Sequence, residues 1–276
     1  QDIDTIIQSQ IKYFQRIYSL QMKIKGCTVN SEEIAKIAGG KYFQVEGKFF
    51  QNGSKYRVEL LDKGIPYIIK TYNGEKIQVL QITKGIRILF LKDSLEEDNN
   101  PYLGMNIIVE WYRFVFENGD KISGEILQSY NIWKRFQRSI KRISEDEMFG
   151  HKGVEIEFEK IGNSGKLEKN KVFFAEDLDY FPIYWEETDS LSNSLCKMTL
   201  TNFKKYELGN GKIIVPLRIE CVRYRNKRVI QNEWWEIDEK SLKINQPIKD
   251  EMFTIPISQA DRIYDAKTDT WFKLNK

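Results

Sequence analysis

The sequence predicts an α+β protein in which a curved antiparallel sheet has helices set against its open side. Three observations lead there. Ile3, Ile7, Ile11, Phe14 and Ile17 recur at helical spacing with Asp4, Gln8, Gln10 and Arg16 between them, the pattern of an amphipathic helix. The period then drops to two, with Leu20, Met22 and Ile24 alternating with Gln21, Lys23 and Lys25, as in a strand with one wet face. Further alternating runs, broken by turn dipeptides, continue to the carboxy terminus and are interrupted midway by helical periodicity.

The elements follow in order. Ser31 to Ala38 reads as a short helix that Ser31 caps and Gly39-Gly40 end. Phe43, Val45 and Phe49 share one strand face and Tyr56, Val58 and Leu60 the next, with Asn52-Gly53 and Asn73-Gly74 as hairpin loops. Strands at this spacing imply a meander or barrel. Pro101 to Phe116 carries Leu103, Ile107, Trp111 and Phe114 or Val115 on a helical stripe. A further helix is expected over Asn131 to Ile143, where Trp133, Phe136, Ile140 and Ile143 face one way among Lys134, Arg135, Arg138, Lys141 and Arg142. Together they make a helical insertion at about 101–150.

Strands then return. Val154, Ile156 and Phe158 alternate with Glu155, Glu157 and Glu159, and Ile213, Val215, Leu217, Ile219 and Cys221 repeat the pattern. Pro216 marks an edge or a bulge, because proline cannot donate to a ladder. Trp235 and Ile237 lead to the Asn245-Gln246-Pro247 turn. No linker rich in Gly, Pro or Ser divides the 276 residues, so one domain over 1–276 is expected.

Composition excludes more than it selects. Six Trp, fourteen Tyr and sixteen Phe belong to a globular chain. Forty-three basic against forty acidic residues give a net charge of +3, too balanced to call for nucleic acid. The aromatics of the cationic 131–143 segment also fall on its apolar stripe, as core anchors do. No apolar run approaches the roughly twenty residues that cross a bilayer. The chain begins at Gln1 without the charged and apolar regions of a signal peptide, as expected of a mature product whose export signal has been removed.

Cys27, Cys196 and Cys221 lack the spacing of a zinc ribbon or a redox pair. Cys196 and Cys221 can be bridged if their strands are neighbours, although Cys221 sits on an apolar face where a reduced, buried thiol is the commoner state. His151 is the only histidine. It has no Gly-x-Ser-x-Gly elbow to accompany it and reads as a loop residue. Glu145-Asp146-Glu147 and Glu186-Glu187 are the candidate acid and base of a glycan hydrolase, or simply solvated charge. No metal and no cofactor is expected.

Several stretches resemble the LolA/LolB-like superfamily of outer-membrane lipoprotein-sorting proteins, especially its larger bacterial members. They are Ile17-Tyr18-Ser19-Leu20, Lys55-Tyr56-Arg57-Val58-Glu59, Thr71-Tyr72-Asn73-Gly74-Glu75-Lys76, Asp179-Tyr180-Phe181-Pro182-Ile183 and Ile213-Ile214-Val215-Pro216-Leu217-Arg218. The closing stretch adds Asn245-Gln246-Pro247-Ile248, Phe253 and Ile263-Tyr264-Asp265. The resemblance implies a half-barrel wrapped around plugging helices behind an amino-terminal helix. It also implies a periplasmic or otherwise extracytoplasmic, monomeric carrier or sensor, in contact with a membrane surface, whose partner is a lipid or a lipidated protein. It carries fold and ligand class but no specific carrier residue.

A concave apolar surface desolvates an acyl chain at about 0.8 kcal/mol per methylene. The expected lining is Phe43, Phe49, Tyr56, Val58, Leu60, Phe158, Leu217 and Trp235, and the competing role of the same residues is a filled core. The activity expected is therefore non-catalytic. Envelope-glycan hydrolysis and a structural module of an envelope complex are the alternatives.

Overall fold

The computed structural model describes residues 3–53, 55–92, 140–161, 167–189, 193–209 and 211–274. Helix α1 (Ile3–Gln15) leads into strand β1 (Ser19–Asn30), helix α2 (Glu32–Ala38) and strand β2 (Tyr42–Asn52). A meander follows: β3 (Lys55–Asp62), β4 (Ile65–Tyr72), β5 (Ile77–Thr83) and β6 (Ile86–Lys92). After it come β7 (Ile140–Met148), β8 (His151–Ile161), β9 (Leu167–Ala175), β10 (Phe181–Asp189), β11 (Ser194–Leu208), β12 (Gly211–Arg225) and β13 (Arg228–Ile237). The chain closes with β14 (Lys243–Ile244), β15 (Arg262–Asp265) and β16 (Thr270–Lys273).

These elements divide between two compact units. The first lies within Gln1–Arg16, Gly26–Gln44 and Gly104–Glu236, the second within Ile17–Lys25, Val45–Leu103 and Ile237–Lys276. The chain passes from one to the other inside β1 and near the start of β2. That is why no flexible linker marks a boundary in the sequence.

In the second unit the strand order is β16-β15-β6-β5-β4-β3-β2-β1, with β14 also on β1. The registered pairs are antiparallel except β15, which lies parallel to β6. Gly53 and Gly74 both have positive φ, and Asn73 accepts from the Glu75 and Lys76 amides, so both Asn-Gly loops form as expected.

In the first unit the order is β1-β13-β12-β11-β10-β9-β8-β7. Pro216 pairs with Phe203 of β11, while the ladder to β13 starts only at Arg218. The missing donor therefore falls where the second neighbour has already ended. Ser31 Oγ accepts from the Ile34 amide, and Gly39 closes α2 at φ 79°.

Several expectations change. Ile140 to Ile143 is strand rather than helix: the whole of Ile140–Met148 pairs with β8 across a turn at Phe149 and Gly150, both at positive φ. The rest of that expected helix, and the one at 101–116, lie outside the described residues. His151 opens β8 instead of sitting in a loop. Glu155, expected on the wet face, is buried, and its carboxylate lies 3.1 Å from Lys171 Nζ.

Among the described side chains of α1, Ile6 is fully buried and packs with Val154, Ile156, Phe158, Val172 and Phe174, while Ile3 is partly buried beside them. The side chains of Ile7, Ile11 and Phe14 lie outside those described. Ser9 Oγ donates to Asp179 O from the middle of the helix, and Arg16 Nη1, just past its carboxy end, donates to Lys212 O. Ile6→Ala is expected to destabilise the first unit by about 2–4 kcal/mol, the cost of a cavity under a docked helix. Urea unfolding followed by tryptophan fluorescence checks this, and a cost below about 0.5 kcal/mol, the scale of an ordinary surface change, would mean that the helix is not docked there.

Candidate ligand-binding face

Four of the eight expected lining residues come together in the second unit. Phe49 stands opposite Val58, Gly47 opposite Leu60 and Gln51 opposite Tyr56. Directly opposed residues share a face, so Phe49, Tyr56, Val58 and Leu60 form one patch. Register extends it through Tyr72 on β4, Ile77 and Val79 on β5, Phe90 on β6, Tyr264 on β15 and Trp271 on β16.

The face grades along this path. Phe49, Val58, Leu60 and Ile77 are buried, while Tyr56, Tyr72, Val79, Phe90 and Tyr264 are half-buried. Trp271 is 55% exposed. Ring centroids lie 5.9 Å apart for Tyr56 and Tyr72, 5.9 Å for Phe90 and Tyr264, and 5.0 Å for Tyr264 and Trp271.

The opposite face of the same strands is already occupied. Ile69, Leu80 and Leu89 form a core with Ile255, Ala260 and Ile263. Arg57 Nη1 donates to Met252 O at 3.1 Å, and Gln78 both donates to Ile255 O and accepts from its amide. Arg57 also donates to Glu59 at 2.7 Å, so a salt bridge is sealed beneath the carboxy-terminal segment.

In the first unit the remaining four residues are dispersed. Phe43 is exposed at the start of β2, its ring over Gly40. Leu217 and Trp235 are buried on adjoining strands of one face, where Trp235 stands opposite Ile219. Phe158 belongs to that face too, but on β8, with four strands between it and β13. It packs edge-on against Trp185 at 5.8 Å.

Sequence reasoning missed a polar chain across this apolar face. Trp235 Nε1 donates to Glu233 Oε1 at 2.9 Å, and Glu233 is fully buried. Arg223 Nη1 lies 4.0 Å from Glu233 Oε2 and donates to Gln231 Oε1. Gln231 Nε2 donates to Asn30 Oδ1, and Asn30 Nδ2 to Gly40 O. The period-two pattern held the signal, since Glu233 and Gln231 share parity with Trp235, and Arg223 with Cys221.

The carboxylate candidates do not converge. Glu186 and Glu187 are consecutive on β10, so they point to opposite faces. Glu186 accepts from the Tyr184 hydroxyl at 2.6 Å and lies 3.3 Å from Lys197 Nζ. Burial, then the hydrogen bond and charge of Glu186, push the Tyr184 phenol above its ordinary value. Asp146 and Glu147 likewise alternate on β7. His151 Nδ1 lies 2.9 Å from Asp177, and its ring meets Phe203 edge-on. Among the described residues no group of three or more His, Cys, Asp or Glu side chains is placed to hold a metal ion.

Two hollows lie apart from the eight residues. A 430 Å³ groove in the second unit is bordered by Lys23, Lys48, Lys240 and Lys243 around Met22 and Phe50. A 540 Å³ hollow in the first unit runs along α1 beside Glu176, Asp179 and Tyr180.

Among the described residues the candidate carboxylates are dispersed over a largely antiparallel sheet. The fold is similar to that of solved structures from the LolA superfamily. A LolA superfamily protein from Nitrosomonas europaea superposes with TM-score 0.51 at 12% identity, over 91% of this chain and 97% of its own. A domain described as an outer membrane lipoprotein-sorting protein from Vibrio parahaemolyticus gives 0.57 at 9% identity, over 92% and 97%. A DUF1329 family protein from Desulfovibrio piger gives 0.51 at 8%, over 91% and 97%. No family model matches the sequence, nor does any curated protein.

Proposed function

We propose that this chain is a non-catalytic extracytoplasmic carrier or sensor that holds a lipid acyl chain, or the lipidated end of a protein, against the Phe49–Val58 face of the second unit. One observation carries the reading. Of the two faces of β2–β6, one is taken by the protein's own carboxy-terminal segment, and the other runs from the buried Phe49, Val58 and Leu60 to the progressively more exposed rings of Tyr56, Tyr72, Phe90, Tyr264 and Trp271, with Lys70 and Lys92 among them. An acyl chain laid along the second face leaves water at about 0.8 kcal/mol per methylene. Tyr56 and Tyr72 offer amphipathic rings to its polar end. The fold shared with an outer-membrane lipoprotein-sorting domain supports the ligand class and the extracytoplasmic setting; on this reading the carrier is a monomer that meets a membrane surface.

Displacement of a dansylated fatty acid by palmitate tests it. The protein is expected to bind the probe, and Tyr56→Ala combined with Tyr72→Ala to weaken palmitate competition about tenfold, equivalent to roughly 1.4 kcal/mol, with the circular dichroism unchanged. Absence of probe binding, or equal competition in the double variant, would overturn the assignment of this face.

A further inference from the structure

β11 and β12 are long, hydrogen-bonded neighbours whose register sets Met198 opposite Cys221 and Cys196 opposite Arg223. The two cysteines therefore share a face, and their Sγ atoms lie 3.3 Å apart. A disulfide needs about 2.05 Å, so side-chain rotation with a small adjustment of the two paired strands closes the gap. We propose that Cys196 and Cys221 form a covalent cross-linking site, joined by thiol–disulfide exchange with a disulfide-bearing oxidant.

The environments of the two sulfurs set the order of events. Cys196 is half-buried and Cys221 almost fully buried, so the oxidant reaches Cys196 first. The hydrogen bond from Cys221 holds the Cys196 thiol below its ordinary value, helped by the Arg223 charge, while burial and Glu187 oppose. Cys221 is pushed the other way by the same hydrogen bond, by burial and by the Cys196 charge.

The Cys196 thiolate attacks one sulfur of the oxidant's disulfide and expels its other half as a thiolate. Cys221 then gives its proton to that thiolate and attacks Cys196 Sγ, releasing the second half. Two electrons pass from the cysteine pair to the oxidant, which leaves as two thiols. The bond formed clamps the β11–β12 hairpin at its open end, beside the Arg223–Glu233 chain. The inference is independent of the lipid reading.

The test uses the full chain, reduced and then equilibrated with oxidised glutathione, quenched in acid, and alkylated with iodoacetamide under denaturing conditions without reductant. Intact mass is expected to show one adduct, on Cys27, and peptide mapping a 196–221 link. Cys196→Ser and Cys221→Ser should each leave no internal link. The cross-linked protein should melt roughly 5–10 °C above the reduced one. Three adducts on the wild type, or glutathione retained on Cys196 with Cys221 alkylated, would overturn the proposal.

Discussion

Gly153→Ala is expected to destabilise the first unit by roughly 3 kcal/mol, near the upper end for overpacking a filled site. A Cβ at this position would stand 2.0 Å from Phe174 O and 2.9 Å from Phe174 C. Both are backbone atoms of a fully buried residue in the neighbouring strand, so relief requires β8 and β9 to separate. Those two strands carry Val154, Ile156, Val172 and Phe174, the floor on which Ile6 of α1 rests. Gly209→Ala is the control, because nothing lies within 4 Å of its added Cβ. Urea midpoints measured on both variants decide the matter. If the two are equally stable, the β8–β9 approach is looser than the register requires.

Trp235→Ala is expected to cost about 3–5 kcal/mol, as large aromatic truncations in cores do. The indole is buried and lies against Gly26, where any Cβ would sit 2.4 Å from Cε3. It also donates to the Glu233 carboxylate, which is buried without exposure. Removing a donor to a buried charge costs about 1.5–3 kcal/mol, so Trp235→Phe, which keeps most of the apolar body, separates the two contributions. A cycle with Glu233→Gln then reads the coupling between them. Thermal unfolding of the wild type, Trp235→Ala, Trp235→Phe, Glu233→Gln and the Trp235→Phe/Glu233→Gln double variant is sufficient. A loss below about 1 kcal/mol for Trp235→Ala, far from the core-truncation range, would mean that the ring faces open space, as a ligand-lining tryptophan would, and would return it to the candidate site.

Local pattern made much of the fold readable. Period two predicted β1, β3 and β12, the Ser31 and Gly39 caps predicted α2, and the two Asn-Gly pairs predicted their hairpins. The segment 140–148 misled because Ile140 and Ile143 stand three apart among cations, a helical cue. The strand pairing that overrides it depends on a turn with Phe149 at φ 53°, a conformation that bulky residues rarely announce. Glu155 was read as solvated because alternation assigns a face and says nothing about what covers it. Lys171, on the neighbouring strand, is what makes its burial tolerable.

The candidate face was half legible. Phe49, Tyr56, Val58 and Leu60 converge because β2 and β3 are joined by a short loop that fixes their register. Phe158 and Trp235 were grouped with them on hydrophobicity alone, which carries no information about how many strands lie between. The Asn30–Gln231–Arg223–Glu233 chain escaped because each member is unremarkable in sequence and gains meaning only from strand pairing, which sets Arg223 opposite Gln231 and brings Gln231 to Asn30, 201 residues away.

The interleaving of the two units bears on how the protein is made. Ile6 rests on residues of β8 and β9, and Ser19 Oγ in β1 donates to Gln246 O, so the first elements to leave the ribosome have partners that are among the later ones to be synthesised. The first unit is complete only once Glu236 is made, and the second waits for the segment from Ile237 onward. Loop closure over such separations makes acquisition of structure slow, and the apolar sides of α1 and β1 stay uncovered until their distant partners have been made.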